Sequence, residues 1–191
     1  MKHTILTLTL LFSIISYSQS DELETLLSIK VGAIGGWASF EQPINDKLLI
    51  HLEFGQEFGL YKNLFSSKTE FIATNTLSLE PRYYYNRQKR KENGKSITTN
   101  TGNYLALELQ RVPDWMTYSS DDNVRISKAT SIFPKIGMKR RITNFFTFEL
   151  AGGIGYQWDD NGRNGIAAAL DIKLSFVLFN FTQLRRNING L

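Results

Sequence analysis

Cysteine is absent from the 191 residues of the chain. This excludes disulfides, thiolate metal sites, cysteine nucleophiles and lipid attachment through an N-terminal cysteine. Histidine is scarce, because only His51 follows the first 18 residues. A zinc site built from imidazoles needs more than one of them, so we expect neither a metal site nor a cofactor.

Long apolar runs are also missing after residue 18, which excludes a transmembrane helix. Within residues 1–18, a short polar start at Lys2 and His3 precedes an uncharged run from Thr4 to Ile15. Small residues at Ser16 and Ser18 then fit a signal peptidase site. We therefore predict a signal peptide over 1–18 and one domain over 19–191. The alternative is an uncleaved membrane anchor, for which the run is short.

The excess of positive over negative charge is also small. The formal net charge is +4, and charged residues make up 21% of the chain. This excess is small and dispersed, so it does not indicate nucleic-acid binding. Hydrophobic residues make up 42% and aromatic residues 13%, which is typical of a folded protein rich in Phe and Tyr.

The strongest positive feature is an alternation of apolar and polar residues. In Leu48–Phe58, for example, Leu48, Ile50 and Leu52 share one face, while His51 and Glu53 share the other. This period of two predicts strands. Seven such segments occur, at about Leu27–Glu41, Leu48–Phe58, Phe71–Tyr85, Tyr104–Gln110, Ser131–Lys139, Phe146–Trp158 and Ile166–Leu178. The first is glycine-rich, and we expect strong curvature or a bulge there.

Two arrangements fit these strands: a soluble lipocalin-like barrel and an outer-membrane barrel. Several apolar faces run for 10 to 14 residues, whereas soluble strands average about 5–6 residues and a tilted membrane strand needs about 9–11. Tyr83, Tyr85, Tyr156 and Trp158 lie at the ends of apolar faces, as in an interfacial girdle. We therefore predict an all-β fold: a single antiparallel up-and-down transmembrane β-barrel.

Bacterial barrels have even strand numbers, so seven segments indicate eight strands. The eighth is expected in the Trp115–Ser127 region or in the Tyr61–Thr69 region.

Several segments also suggest a family. They are Leu79–Asn86, Asn100–Tyr104, Ile132–Arg140 and Phe148–Tyr156. With these segments the chain resembles the uncharacterised small outer-membrane β-barrel proteins of flavobacteria and related Bacteroidetes. The resemblance covers most of the mature chain and implies a fold and a location. It implies no activity and no functional residue.

The polar faces predict how the barrel interior is filled. They carry a lumen charge network of ten residues: Glu53, Glu57, Glu80, Arg82, Glu108, Lys135, Lys139, Glu149, Asp171 and Lys173. Lys30 and Arg141 are candidate additions. Charges shielded from water need partners, and an eight-stranded lumen is just wide enough for side chains to fill. We expect a salt-bridged plug rather than an open pore.

No catalytic constellation stands out. His51 is interpreted as a lumen residue bonded to a neighbouring carboxylate, and no G-x-S-x-G motif accompanies it. Gly152, Gly153 and Gly155 lie in a strand with no helix after it, so they indicate relief of crowding rather than a phosphate loop. The cluster Arg87, Lys89, Arg90, Lys91 and Lys95 is interpreted as a solvated loop.

The functional prediction is a non-enzymatic barrel of the bacterial outer membrane with a structural, adhesive or envelope-interaction role. One alternative is a narrow channel or small-molecule carrier. A second is a membrane-embedded lipid enzyme that uses His51 as a base. The expected partners are outer-membrane lipid, with lipopolysaccharide or other envelope components as further candidates. No nucleic acid is expected, and the chain is expected to be a monomer.

Overall fold

The computed structural model describes residues 23–62, 69–115, 118–119 and 128–189. They form nine strands and two helices. The strands are β1 Leu26–Gly32, β2 Gly35–Pro43, β3 Leu48–Lys62, β4 Thr69–Tyr84, β5 Gly102–Val112, β6 Tyr118–Ser119, β7 Ala129–Arg141, β8 Phe146–Asp159 and β9 Asn164–Asn180. The helices are α1 Arg87–Glu92 and α2 Phe181–Asn189. The predicted signal peptide lies outside the described residues.

The sheet closes on itself. Successive strands pair antiparallel from β1 to β5, and then β5 pairs with β7, β7 with β8 and β8 with β9. Pairing of β9 with β1 completes a ring of eight strands. The short β6 pairs with β4 at Ile72 and Ala73, beyond the stretch of β4 that pairs with β5. The all-β, antiparallel barrel predicted from the alternation is confirmed.

The predicted positions of the eighth strand are wrong. The missing member of the ring lies in the first segment, which divides at Ala33 and Ile34 into β1 and β2. This turn carries none of the Asn-Gly or Asp-Gly signals of a hairpin, so the two strands looked like one. Among the described residues of the Trp115–Ser127 region there is one strand, β6, which is not a member of the ring. In the Tyr61–Thr69 region, Tyr61 belongs to β3 and Thr69 to β4, and residues 63–68 lie outside the described residues.

Glycines at the tip of this first hairpin allow close approach of neighbouring backbones. A Cβ at Gly32 would lie 2.8 Å from the Ile172 carbonyl oxygen, and one at Gly35 would overlap the Gln56 carbonyl. The register between β1 and β9 also shifts between Leu27 and Ser28. The irregularity expected in this segment is therefore present.

The two ends of the barrel differ. At the terminal end, β1 begins and β9 ends, and the short turns 44–47 and 142–145 and the segment 85–101 with α1 lie at that end. At the opposite end, β1, β3, β5 and β8 end.

The barrel is polar inside and apolar outside. Inward-facing side chains such as Lys30, Arg82 and Glu149 are at most 1% exposed, whereas outward-facing Ile136 and Leu170 are 60% and 68% exposed. A small apolar core sits inside the barrel near the terminal end, where Tyr84 and Tyr104 pack with Leu23, Leu49 and Ala151.

Candidate functional site

The inward faces of the strands bring most of the predicted charge network together. Glu53, Glu80, Arg82, Glu108, Lys135, Lys139, Glu149 and Lys173 are all buried, and the side chain of Asp171 is 16% exposed. Antiparallel register explains this convergence. Glu149 lies directly opposite Lys173 on β9 and opposite Lys139 on β7, and His51 lies opposite Glu80.

Eight of these groups form a closed cycle of alternating charge, which we call the charged ring. In order, its members are Arg82, Glu80, Lys135, Asp171, Lys173, Glu53, Lys30 and Glu149. Lys135 and Asp171 are in direct contact, and the seven other N···O distances lie between 2.7 and 3.6 Å. Six strands contribute, so the cycle links opposite walls of the barrel.

Three further groups attach to the charged ring. Glu41 on β2 lies 2.6 Å from Lys139 and 3.9 Å from Arg82, and Glu108 on β5 lies 3.1 Å from Lys135. Every strand of the eight-stranded ring thus contributes a charge. A buried ion is costly unless it is paired and hydrogen-bonded, and each of these carboxylates has a cation within 4 Å.

The Arg82–Glu149 pair lies at the centre of this arrangement. Both terminal nitrogens of Arg82 donate to Glu149, at 3.1 and 2.7 Å, and one also donates to Glu80 at 3.1 Å. The Tyr104 hydroxyl donates to Glu149 at 3.0 Å, and its ring lies 4.5 Å from the Arg82 guanidinium carbon. Gly137 makes room for this ring, because a Cβ there would overlap it.

His51 is fully buried among these charges. Its Nε2 atom accepts a hydrogen bond from Lys30 Nζ at 3.0 Å, and the nearest carboxylate oxygen belongs to Glu53 at 3.4 Å. The direct partner is therefore an ammonium group rather than the carboxylate expected. No serine among the described residues hydrogen bonds to either ring nitrogen.

One predicted member, Glu57, and one candidate addition, Arg141, do not take part in the charge network. Glu57 is half-buried and accepts hydrogen bonds from Thr76 at 3.3 Å and Gln110 at 3.5 Å, with no cation within 4 Å among the described residues. Arg141 lies at the terminal end of β7, is exposed, and donates to Thr98 at 2.9 Å.

The sequence analysis missed Glu41 and Tyr104. Glu41 belonged to the glycine-rich segment, and its inward phase follows from that of Lys30 only once the turn at Ala33 and Ile34 is known, because Leu26 pairs with Glu41. Tyr104 shares the polar face of its strand with Glu108 and so faces inward, but as an uncharged residue it was not counted in the charge network.

A cap closes the barrel at the terminal end. The Asn100 side-chain amide donates to the Glu24 carbonyl at 2.8 Å and to the Glu41 carboxylate at 2.7 Å. In return, Asn100 Oδ1 accepts from the Glu24 backbone at 2.6 Å, and the Thr99 N–H donates to the Glu24 carboxylate at 2.9 Å. Thr99 and Asn100 adopt left-handed φ values of 53° and 56°. The cap is thus bonded directly to the interior charges.

The structure tests the interpretation of the basic cluster at Arg87. Arg87 is 5% exposed and donates to the Ile97 carbonyl at 2.8 Å, so it stabilises the segment 85–101 and is not solvated as expected.

The glycines of β8 differ in the space around them. A Cβ at Gly153 or Gly155 would overlap the backbone of β7, in line with relief of crowding. Gly152 has ordinary space around it and does not fit that interpretation.

Other binding features are few in the described part of the chain. A shallow cavity of about 230 Å³ lies between the tip of the first hairpin and β9, lined by residues that include Ile34, Trp37 and Lys173. No group of three or more His, Cys, Asp or Glu side chains among the described residues is arranged to hold a metal ion. None of the described helices is long and apolar enough to cross a membrane.

Comparisons with protein-family models, with curated proteins and with solved structures gave no significant match.

Proposed function

We propose that the chain is a transmembrane β-barrel of a bacterial outer membrane, with an interior filled by side chains and a structural, adhesive or envelope-interaction role exerted through its loops. The observation that carries this proposal is the inverted partition of the barrel wall: compared with a soluble barrel, the polar and apolar faces of the strands have exchanged sides. Charged side chains of the charged ring are buried inside, while the outer faces of the strands are apolar and exposed. The likeness to small barrels of flavobacteria remains a prediction about the source of the chain.

A soluble barrel would require the opposite arrangement. Soluble monomers rarely expose contiguous apolar patches larger than a few hundred Å². Here exposed aliphatic residues occur on seven of the eight strands of the ring: Ile29, Val31, Leu52, Leu77, Leu79, Leu105, Leu107, Leu109, Ile132, Ile136, Ile154, Leu170, Ile172 and Leu174. Acyl chains are the surroundings that suit such a belt.

Aromatic residues border this aliphatic belt on both sides. Near the terminal end they are Tyr83, Tyr85, Phe145, Phe146, Phe176 and Phe179, and near the opposite end Phe58, Phe71, Trp115, Tyr118, Tyr156 and Trp158. On β8, Phe146 and Tyr156 are about 33 Å apart at about 3.3 Å per residue. A tilt of about 40° reduces this to about 25 Å along the barrel axis, the height of the apolar band in outer-membrane barrels.

The charged ring supports a closed interior. Its members reach from wall to wall and, apart from Asp171, have side chains at most 7% exposed. The cap at the terminal end adds a second obstruction. A barrel closed in this way acts through its surface and its loops rather than by conducting solutes.

Membrane fractionation combined with gel mobility tests the location. We expect the full chain to fractionate with outer membranes and to migrate differently on a gel when it is not boiled, because a closed barrel resists detergent. Recovery in the soluble periplasmic fraction with no mobility shift would contradict the proposal.

Conductance in planar bilayers tests the closed interior. We expect no steady current from the wild type. A folded Arg82→Ser/Glu149→Ser variant removes the central pair and should conduct more than Lys89→Ala, which changes an exposed charge on α1. A steady current from the wild type would refute the closed lumen while leaving the location intact.

Among the described residues, no side-chain arrangement at His51 supports the lipid-enzyme alternative. A serine nucleophile would have to hydrogen bond to the imidazole that activates it. The partner of His51 is instead Lys30, within a cluster of ion pairs. His51 is therefore assigned no catalytic role in the proposed function.

A further inference from the structure

Helix α2 follows β9 directly and is fixed to the segment just before β1. The Phe181 N–H donates to the Thr25 carbonyl at 3.0 Å, and the Thr25 N–H donates to the Thr182 hydroxyl at 2.8 Å. The Asn180 side chain accepts from the Gln183 N–H at 2.9 Å and so caps the first turn. These bonds hold the beginning of α2 at the terminal end of the barrel.

The two faces of α2 differ in polarity. Phe181, Leu184 and Ile188 have the i, i+3, i+7 spacing of a single helical face, which we call the apolar stripe. They are 37%, 53% and 75% exposed. The half-buried residues are the polar Thr182 and Arg186. The helix therefore turns its polar side towards the protein and its apolar stripe away from it.

This orientation is unfavourable in water, because a surface helix of a soluble protein buries its apolar face. It matches the inverted partition of the barrel wall. The apolar stripe is also continuous with the aromatic residues at the terminal end, since the rings of Phe179 and Phe181 stack with centroids 6.0 Å apart. Phe179 itself is 56% exposed.

We infer that α2 lies along the membrane surface at the terminal end, with its apolar stripe among the acyl chains and Arg185 among anionic headgroups. The inference rests on the proposed membrane location of the barrel. An amphipathic helix with cationic residues beside an apolar face is the kind that lies in the bilayer interface. Arg185 is exposed and lies next to the apolar stripe, so it can reach a phosphate while Leu184 and Ile188 stay in the lipid. The helix thereby anchors the end of the barrel at which β1 begins and β9 ends.

Because the chain has no cysteine, single labels can be placed without background. We would introduce Leu184→Cys or Ile188→Cys on the apolar stripe. Gln183→Cys is the matched control, because Gln183 is exposed but lies off the apolar stripe, and Leu107→Cys in the aliphatic belt is a barrel reference. Each full-length variant carries an environment-sensitive fluorophore and is reconstituted into vesicles of phosphatidylethanolamine and phosphatidylglycerol. Quenching by lipid-borne nitroxide is compared with quenching by aqueous iodide.

We expect labels at 184 and 188 to be quenched from the lipid, as at 107, and the label at 183 to be quenched from water. Aqueous quenching at 184 and 188 with lipid quenching at 107 would overturn the inference and leave the barrel proposal standing. Labels at 184 and 188 shielded from both quenchers would overturn it in favour of contact with a second copy. Aqueous quenching at 107 as well would defeat the proposed location itself.

Discussion

Arg82 and Glu149, on strands β4 and β8, are joined inside the barrel by two hydrogen bonds of 2.7 and 3.1 Å. The pair joins two strands that are not neighbours in the ring. Arg82 also donates a hydrogen bond to Glu80, and Glu149 also accepts one from Tyr104 and forms an ion pair with Lys30. A buried charge in such a pair is compensated only while its partner is present.

Arg82→Ala should therefore be strongly destabilising. Removing one partner of a buried pair leaves an uncompensated charge, which costs about 3–5 kcal/mol. Urea unfolding in lipid vesicles, followed by the gel-mobility shift, measures the change in the free energy of unfolding. Arg163→Ala is the matched control, because it breaks an ion pair with Asp159 in which the arginine side chain is 75% exposed, and it should cost at most about 1 kcal/mol. Equal losses in the two variants would contradict a special role for the buried pair.

The sequence predicted much of this arrangement, because alternation alone assigns a side chain to a face. Glu53, Glu80, Arg82 and Glu149 were placed inside in this way. Which cation meets which carboxylate depends on how strands distant in the chain are brought together, as where Arg82 meets Glu149 and Lys173 meets Glu53. Alternation excludes a register slip of one residue but permits a slip of two, so the turns and bulges between strands decide the register.

The two errors, the missed strand and the misplaced Arg141, also arise because alternation does not show where a strand ends. The turn at Ala33 and Ile34 lacks the residues that identify a hairpin, so one strand was missed, and with it the inward position of Glu41. Arg141 has the inward phase but lies at the last residue of β7, where the barrel ends and the side chain is exposed. Alternation gives the side of a strand, and it does not show where the interior stops.

Gly137 provides a test of packing around the charged ring. A Cβ at this position would overlap the Tyr104 ring, whereas one at Gly165 meets nothing within 4 Å. Gly137→Ala should cost about 1–3 kcal/mol, as overpacked cores do, and Gly165→Ala should be close to neutral. Combining Gly137→Ala with Tyr104→Leu should cost less than the sum of the single changes, as measured by the same unfolding assay. Full additivity would mean that the two residues do not interact.

The terminal cap should depend on the side chain of Asn100, which bonds to both Glu24 and Glu41. Asn100→Ala leaves the Glu24 backbone and the Glu41 carboxylate short of partners, at a cost of about 1–3 kcal/mol. We expect faster proteolysis within residues 85–101. Asn45→Ala is a suitable comparison, because Asn45 caps only the exposed turn before β3. Equal protease sensitivity of the two variants would argue against a cap fastened by Asn100.

Leu107 offers the clearest energetic distinction between lipid and water around the barrel. It lies on the outer face of β5 and is 47% exposed, so Leu107→Arg in a soluble protein would change stability by no more than about 0.5 kcal/mol. In a bilayer, an arginine on the lipid face near the midplane costs about 2–4 kcal/mol. Ile44→Arg, in the turn at the terminal end and 53% exposed in the wild type, should cost about 0–1 kcal/mol because charges near the interface are tolerated. The comparison is made by reversible unfolding in vesicles, and a negligible cost at both positions would mean that the apolar belt does not face lipid.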